Sequence, residues 1–358
     1  MNKTKHSASP RMDTRRRNNQ KNGRRPMRLL TSVLLLLCIL FAFCFLFLRS
    51  SFGKIENYEL DLSEIAVNEQ DANLDDYQTI ALFGVDNQDN KIKDIGSRTD
   101  SIILACIHNS SKKVKLMSIY RDTYVSIDGK YDKINAAYAY GGPEQAINTI
   151  NRNLDLNITD FATVNFKALA DAVDILGGVE LTVKSEKELE NLNAYIKNMN
   201  KINGGDSPVF DDTGTHHFDG NQAVAYSRIR YMEGGDHERA NHQRLVLQAI
   251  MNQAKKRPWK LKKLIDKVLP QCKTSLSTGD LTRLSLSLPR YSIEDSQAYP
   301  FDSVDTKYGG IYYGFPLTAA SNAIEAHAYL FGTKDYEPTE ELTKISAKIE
   351  AITDDFGY

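Results

Sequence analysis

Apolar positions fall into one long run and many short ones. Leu29 to Leu48 is twenty residues without a charge. That matches the hydrocarbon thickness of a bilayer. No short apolar region with a small-residue cleavage site is evident, so the expectation is an uncleaved transmembrane anchor. The short runs read as the elements of a folded domain. Gln78 to Gly84, Ser101 to Ile107 and Val114 to Ile119 read as buried strands, with 109–113 as a hairpin turn, and Val125 to Ile127 as a short strand. Gly141-Gly142-Pro143 opens a helix that runs to Leu154, with Pro143 and Glu144 in its first turn. Phe161 to Phe166 is a strand, and Lys167 to Leu176 a helix stopped by Gly177-Gly178. Val179 to Val183 is extended. Residues 185–215 are polar and Asn-rich and read as a surface excursion. Val224 to Tyr231 alternates and reads as a strand broken by Gly234-Gly235, with Asp236 as N-cap of a helix to about Lys255. Leu261 to Leu269 and Asp280 to Leu288 read as helices. Pro338 precedes a last amphipathic helix bearing Leu342, Ile345, Ile349 and Ile352. Alternating strands and helices predict an α/β domain around a central sheet.

Charge sharpens this division. Residues 1–28 hold ten Lys or Arg and one acid, Asp13. They read as a disordered basic tail. The formal charge of the whole chain is −1, so the remainder carries −10. An acidic body argues against general nucleic-acid binding, which needs a broad basic surface. Basic residues cluster before the apolar run, which places the N-terminus in the cytoplasm and residues 49–358 outside. Residues 49–76 read as an acidic spacer, with the folded domain beginning at Tyr77. Of four cysteines, Cys38 and Cys44 lie in the apolar run, and Cys106 reads as a small buried hydrophobe. There is no CxxC, GxSxG, HExxH or Walker loop.

The densest chemistry lies between Ala225 and Arg244. On a strand Arg228 and Arg230 share one face. Arg239 and Gln243, four apart, share a helix face. Arginine forks beside a helix N-terminus suit phosphate oxygens. Solvated arginines paired with Asp236 or Glu238 are the plain alternative. Asp86 follows one strand and Asp100 begins the next. If those ends adjoin, two carboxylates plus substrate phosphates suit Mg²⁺, against an Asx turn and a strand cap otherwise. Arg121 follows the third strand as a further phosphate contact or a surface partner of Asp122, and Lys133 is either a basic site residue or solvated. The apolar helices at 143–154 and 167–176 read most economically as core, with a lipid groove between them as the alternative that periodicity does not separate. His216 and His217 face opposite ways on a strand and are poor chelators as a pair.

Four segments together resemble the LytR-CpsA-Psr family of cell-wall ligases. They are Leu82 to Asp86 with Ser97 to Ile102, Ser118 to Tyr124, Lys133 to Gly142, and Phe218 to Gly220 running on through Ala225–Arg230 to Gln243-Arg244. The match covers residues 77–255, with a weaker echo to about 345. The resemblance implies an α/β/α domain over residues 77–345 with a mainly mixed sheet, a tail at 346–358, and a membrane-anchored extracellular enzyme. It implies a Mg²⁺-dependent phosphotransferase that moves a glycopolymer from a polyprenyl pyrophosphate to a peptidoglycan hydroxyl. Asp86 and Asp100 are then the metal-associated aspartates. Arg98, Arg121, Arg228, Arg230, Arg239 and Gln243 form the pyrophosphate set, with Lys133 beside them. The catalytic core is Asp86, Asp100, Arg121, Arg228 and Arg230. One departure matters: the family commonly has Gly-Arg and then Arg-Gln in the last motif, where this chain has Glu238-Arg239 and His242-Gln243. His242 is then either a phosphate donor when protonated or a tolerated replacement. Hydrolysis of polyprenyl pyrophosphates and non-catalytic binding of a polyprenyl phosphate are the rival readings.

Overall fold

The computed structural model describes residues 58–68, 72–85, 92–93, 95–230 and 235–357. The basic tail, the expected anchor at 29–48 and Asp86 lie outside the described residues.

Six strands form the central sheet: β1 (Tyr77–Val85), β2 (Thr99–His108), β3 (Lys113–Ile119), β6 (Asp160–Asn165), β9 (Lys273–Thr274) and β10 (Ser292–Tyr299). Their order is β10-β3-β2-β1-β6-β9. β1 pairs antiparallel with β2 and parallel with β6, β2 antiparallel with β3, and β10 parallel with β3. The sheet is therefore mixed, as expected. The C-terminal ends of β1, β3 and β6 all reach the edge where β2 begins. Alternation along β1 separates two faces. Ala81, Phe83 and Val85 pack toward α1 (Ile134–Leu154) and α8 (Ala319–Phe331), and Ile80 and Leu82 toward α5 (Asp236–Lys256) and α7 (Thr278–Ser287). Helices on both faces make the α/β/α arrangement.

Among the described residues the rest comprises three pairs of strands and five more helices. β4 (Tyr124–Ile127) pairs with β5 (Lys130–Lys133), and β7 (Val179–Val183) with β8 (Gly214–Phe218). A second apolar cluster collects α2 (Phe166–Leu176), α3 (Glu186–Asn203), α4 (Gly220–Ser227) and α5 around Leu192, Ile196, Phe218 and Tyr226. α6 (Leu261–Val268) packs on α2. The helices at 143–154 and 167–176 are both core, in separate clusters.

Five expectations need correction. Val224 to Tyr231 is not a strand. α4 occupies Gly220–Ser227, and Asp219 with Gln222 forms a capping box at its start. Seven of its eight residues are buried, so no amphipathic period marks it. The segment 185–215 is not a mere excursion, because α3 buries Leu189, Leu192, Ile196 and Met199. Asp236 is the first residue of α5, and Gly235 caps it with φ of 52°. The helix expected from Gly141 begins at Ile134, with non-helical dihedrals at Gly141 and Gly142 marking a kink. Finally, the domain is longer at both ends. Ile65 and Leu74 of the expected spacer are buried in the main core, and Tyr58 and Leu60 pack against it. The expected tail at 346–358 continues α9 (Glu340–Asp354), with Ser346, Ile349 and Thr353 buried. Strands β10 to β12 and helix α8 carry no counterpart in the sequence reading; β11 (Ser303–Tyr308) and β12 (Ile311–Pro316) form a hairpin.

Candidate functional site

The site grows from the sheet edge where β2 begins. Gly84 pairs with Ser101 but Val85 pairs with Thr99, so the register skips Asp100. Such a bulge re-aims a side chain. Asp100 Oδ1 accepts from Arg121 Nη1 at 2.6 Å and from Arg230 Nη2 at 3.4 Å. Its backbone oxygen accepts from Gln243 Nε2 at 3.2 Å. Arg121 sits just beyond β3, where the backbone turns through Tyr120 and Thr123. Its Nε lies 3.6 Å from both Asp122 and Asp236. Asp236 in turn takes Arg239 Nη2 at 2.6 Å, an i,i+3 pair in the first turn of α5.

Arg228 and Arg230 reach one cavity by a route other than a strand. Arg228 is the C-cap of α4, and fully buried Ile229 separates the two outward-facing side chains. The Arg228 guanidinium lies 4.4 Å from the Phe166 ring centroid and 5.8 Å from that of Tyr195. These are cation–π distances. Asp100, Phe166, Tyr195, Arg228, Arg230, Arg239 and Gln243 line this cavity together.

Its electrostatics favour an anion. Arg239 is 4% exposed, and burial, opposed by Asp236 and aided by Arg121 and Arg230, pulls it down to about 10. It remains charged at neutral pH. Burial also acts against the Arg121 cation, but Asp100, Asp122 and Asp236 outweigh it and hold the group above its ordinary value. The Nε atoms of both Arg121 and Arg239 are buried without a hydrogen-bond partner among the described residues. Buried donors are normally satisfied; of these two arginines only Arg239 lines the cavity, while Arg121 Nε lies between Asp122 and Asp236. Burial raises the Asp236 carboxyl above the usual range despite Arg239 and Arg121.

The expected residues thus divide. Asp100, Arg121, Arg228, Arg230, Arg239 and Gln243 come together. Lys133 stands one step away, its Nζ 2.7 Å from Asp122, which also neighbours Arg121. Arg98 is exposed, within electrostatic reach of Tyr140 and Tyr313, and does not line the cavity. His242 faces the interior: it is 2% exposed, with Nε2 3.0 Å from the equally buried Glu188 Oε1. His216 sits beside Asp212, and His217 beside Glu180 and the Gly177 carbonyl. Sequence reasoning missed Phe166, Tyr195 and the bridging role of Asp236. Phe166 had a usable signal in its place at a strand end; Tyr195 lay in the segment read as surface.

A magnesium ion is expected at Asp86 and Asp100. Both guanidinium contacts of Asp100 use Oδ1, which leaves Oδ2 for another ligand. One available carboxylate oxygen beside an anion pocket fits Mg²⁺, which binds through one or two carboxylates and substrate phosphates.

Residues 46–328 match the model of the LytR_cpsA_psr family. Among curated relatives, a polyisoprenyl-teichoic acid–peptidoglycan teichoic acid transferase, TagT of Bacillus subtilis, is 34% identical over 179 residues, covering 49% of this chain and 52% of that protein. The Enterococcus faecalis protein TagU, of the same description, is 31% identical over 213 residues, covering 58% and 64%. The aligned part therefore spans about half to two thirds of those relatives' length. Among solved structures, TagT bound to LI-WTA superposes with a TM-score of 0.61 at 28% identity, covering 77% of this chain and 100% of that one. TagT with bound octaprenyl pyrophosphate lipid gives 0.58 at 26%, with the same coverage.

Proposed function

The chain belongs to the LytR-CpsA-Psr family, and from that premise we propose that it is a phosphotransferase carrying a glycopolymer from a polyprenyl pyrophosphate to a peptidoglycan hydroxyl. The observation that carries this reading is the cavity that Arg228, Arg230 and Arg239 line together with Gln243 and Asp100, with Arg121 paired to Asp100. Relatives described as teichoic acid transferases, one solved with a prenyl pyrophosphate, support the assignment.

The chemistry asks for alignment and charge neutralisation more than for a covalent nucleophile. Arg228, Arg230 and Arg239 would hold the pyrophosphate, while Arg121 and Gln243 keep Asp100 in place. Asp86 and Asp100 would hold Mg²⁺, which when bound neutralises phosphate charge. The acceptor oxygen forms a bond to the sugar-proximal phosphorus. The bridging P–O bond breaks, and its electron pair leaves with the polyprenyl phosphate. The hydroxyl proton passes to a site carboxylate. Asp236, whose burial raises its pKa, suits that role. The charge pattern and apolar run of the sequence support a domain outside the cell on a single anchor.

The test incubates the protein with a lipid-linked oligosaccharide, peptidoglycan fragments and Mg²⁺. Arg228→Ala and Asp100→Ala are expected to lower transfer by roughly 10²-fold or more. Unchanged transfer rejects these assignments. Water-derived product that peptidoglycan does not divert identifies a hydrolase instead, and tight lipid binding with no product a binding protein.

A further inference from the structure

A second cavity, of about 250 Å³, has Asp236, the neighbour of Arg121, in its wall. Asp122 and Asp236 line it, and both also neighbour Arg121. Its aromatic wall is Tyr120 stacked on His237, with ring centroids 4.0 Å apart and planes 9° from parallel. Tyr312 and Asp305 come from the β11–β12 hairpin. His237 Nε2 lies 3.6 Å from Asp305 Oδ2, and Asp305 also receives the Tyr312 hydroxyl. Tyr312 keeps 44% of its surface exposed, which is unusual for a large ring beside a cavity.

The lining differs in kind from that of the phosphate cavity. Three carboxylates face it, Asp122 and Asp236 also paired with Lys133, Arg121 and Arg239 behind the wall, and none of its described lining residues is Lys or Arg. Carboxylates accept hydrogen bonds and repel anions. The cavity therefore does not continue the pyrophosphate site. Exposed aromatic rings beside fixed hydrogen-bond acceptors suit a neutral ligand with apolar C–H faces and many hydroxyl donors. That description fits a sugar. We propose that the Tyr120–His237–Tyr312 cavity, with Asp122, Asp236 and Asp305, is the subsite for the acceptor saccharide. This rests on the transferase reading, which supplies the acceptor, and Asp236 in the wall pairs with Arg239 of the phosphate cavity.

Binding can be measured without turnover. The full chain in detergent is titrated by NMR with a phosphate-free peptidoglycan disaccharide, and separately with inorganic pyrophosphate. Tyr312→Ala and Asp305→Asn are expected to weaken the disaccharide at least tenfold and to leave pyrophosphate affinity within twofold. Tyr312 is partly exposed and Asp305→Asn is nearly isosteric, so one variant covers for a folding failure of the other. Equal disaccharide affinity in both variants, no binding to the parent chain, or displacement of the disaccharide by pyrophosphate overturns the proposal. Preference for an amine-bearing stem peptide overturns it in favour of a cationic ligand. Loss of pyrophosphate binding by the parent chain counts against the transferase reading alone, since the disaccharide titration still decides this subsite.

Discussion

Arg239 and His242 stand three residues apart on α5, yet only one serves the cavity. Arg239 turns toward Asp236 and the phosphate cavity, and His242 toward Glu188 and the edge of the Tyr226 ring. This answers the question raised by the family pattern: position 242 here is a structural pair. His242→Ala is expected to cost about 1–3 kcal/mol of stability, because it strips a buried acceptor of its donor. Pyrophosphate affinity should not change, and denaturant unfolding with a binding titration checks both. Burial alone would raise the Glu188 carboxyl, but hydrogen bonds from His242 and the Lys184 backbone N–H hold it below its ordinary value of 4.5. A depressed carboxyl stabilises the fold above its unfolded value and loses that contribution as pH falls through the folded one. Glu188→Gln should therefore flatten the decline of Tm below about pH 4.5. Residue identities were legible throughout: the arginines, Gln243 and Asp100 were all named from sequence. Which of them is buried was not, because desolvation depends on chain segments far away.

At the scale of elements, α4 decides where Arg228 points. Its alternating look as a strand came from a run buried on every side, where helix and strand periods cannot be told apart. The Asp219–Gln222 capping box was the decisive local signal. α4 also packs unusually close to α2: a Cβ on Gly220 would stand 2.4 Å from the Ala170 carbonyl oxygen. Backbone cannot yield cheaply there. Gly220→Ala should destabilise the protein by about 1–3 kcal/mol and shift the end of the helix that carries Arg228. The expected readout is a lower Tm together with weaker pyrophosphate binding. Gly177 shows the opposite case, a helix stop read correctly because its φ of 81° is a local demand.

At the scale of the molecule, the domain closes on itself through its last helix. Leu342, Ile345 and Ile349 of α9 pack with Tyr124, Tyr313 and Phe315, which ties α9 to β4 and the β11–β12 hairpin. Ending the chain after Lys344 removes two buried isoleucines. The expected loss is roughly 3–6 kcal/mol, at about 1.5–3 kcal/mol per buried side chain. Calorimetry should show that drop, and the hairpin that bears Asp305 and Tyr312 should become protease-sensitive. The strand order of the sheet was not legible, since β10 joins β3 across more than half of the domain.

By itself the sequence determined the class of fold, half of the strands and most of the helices, and the presence of an arginine-rich cluster. Those follow from near neighbours: periodicity, caps, glycine stops and charge. Tertiary structure decided the rest. Gln243 meets Asp100 across 143 residues and Arg230 meets it across 130. Only such long-range contacts set burial, turn His242 inward, and bring the β11–β12 hairpin beside Asp122 and Thr123 to form a second cavity. Desolvation is a property of what surrounds a group, and the surroundings exist only once the chain has folded.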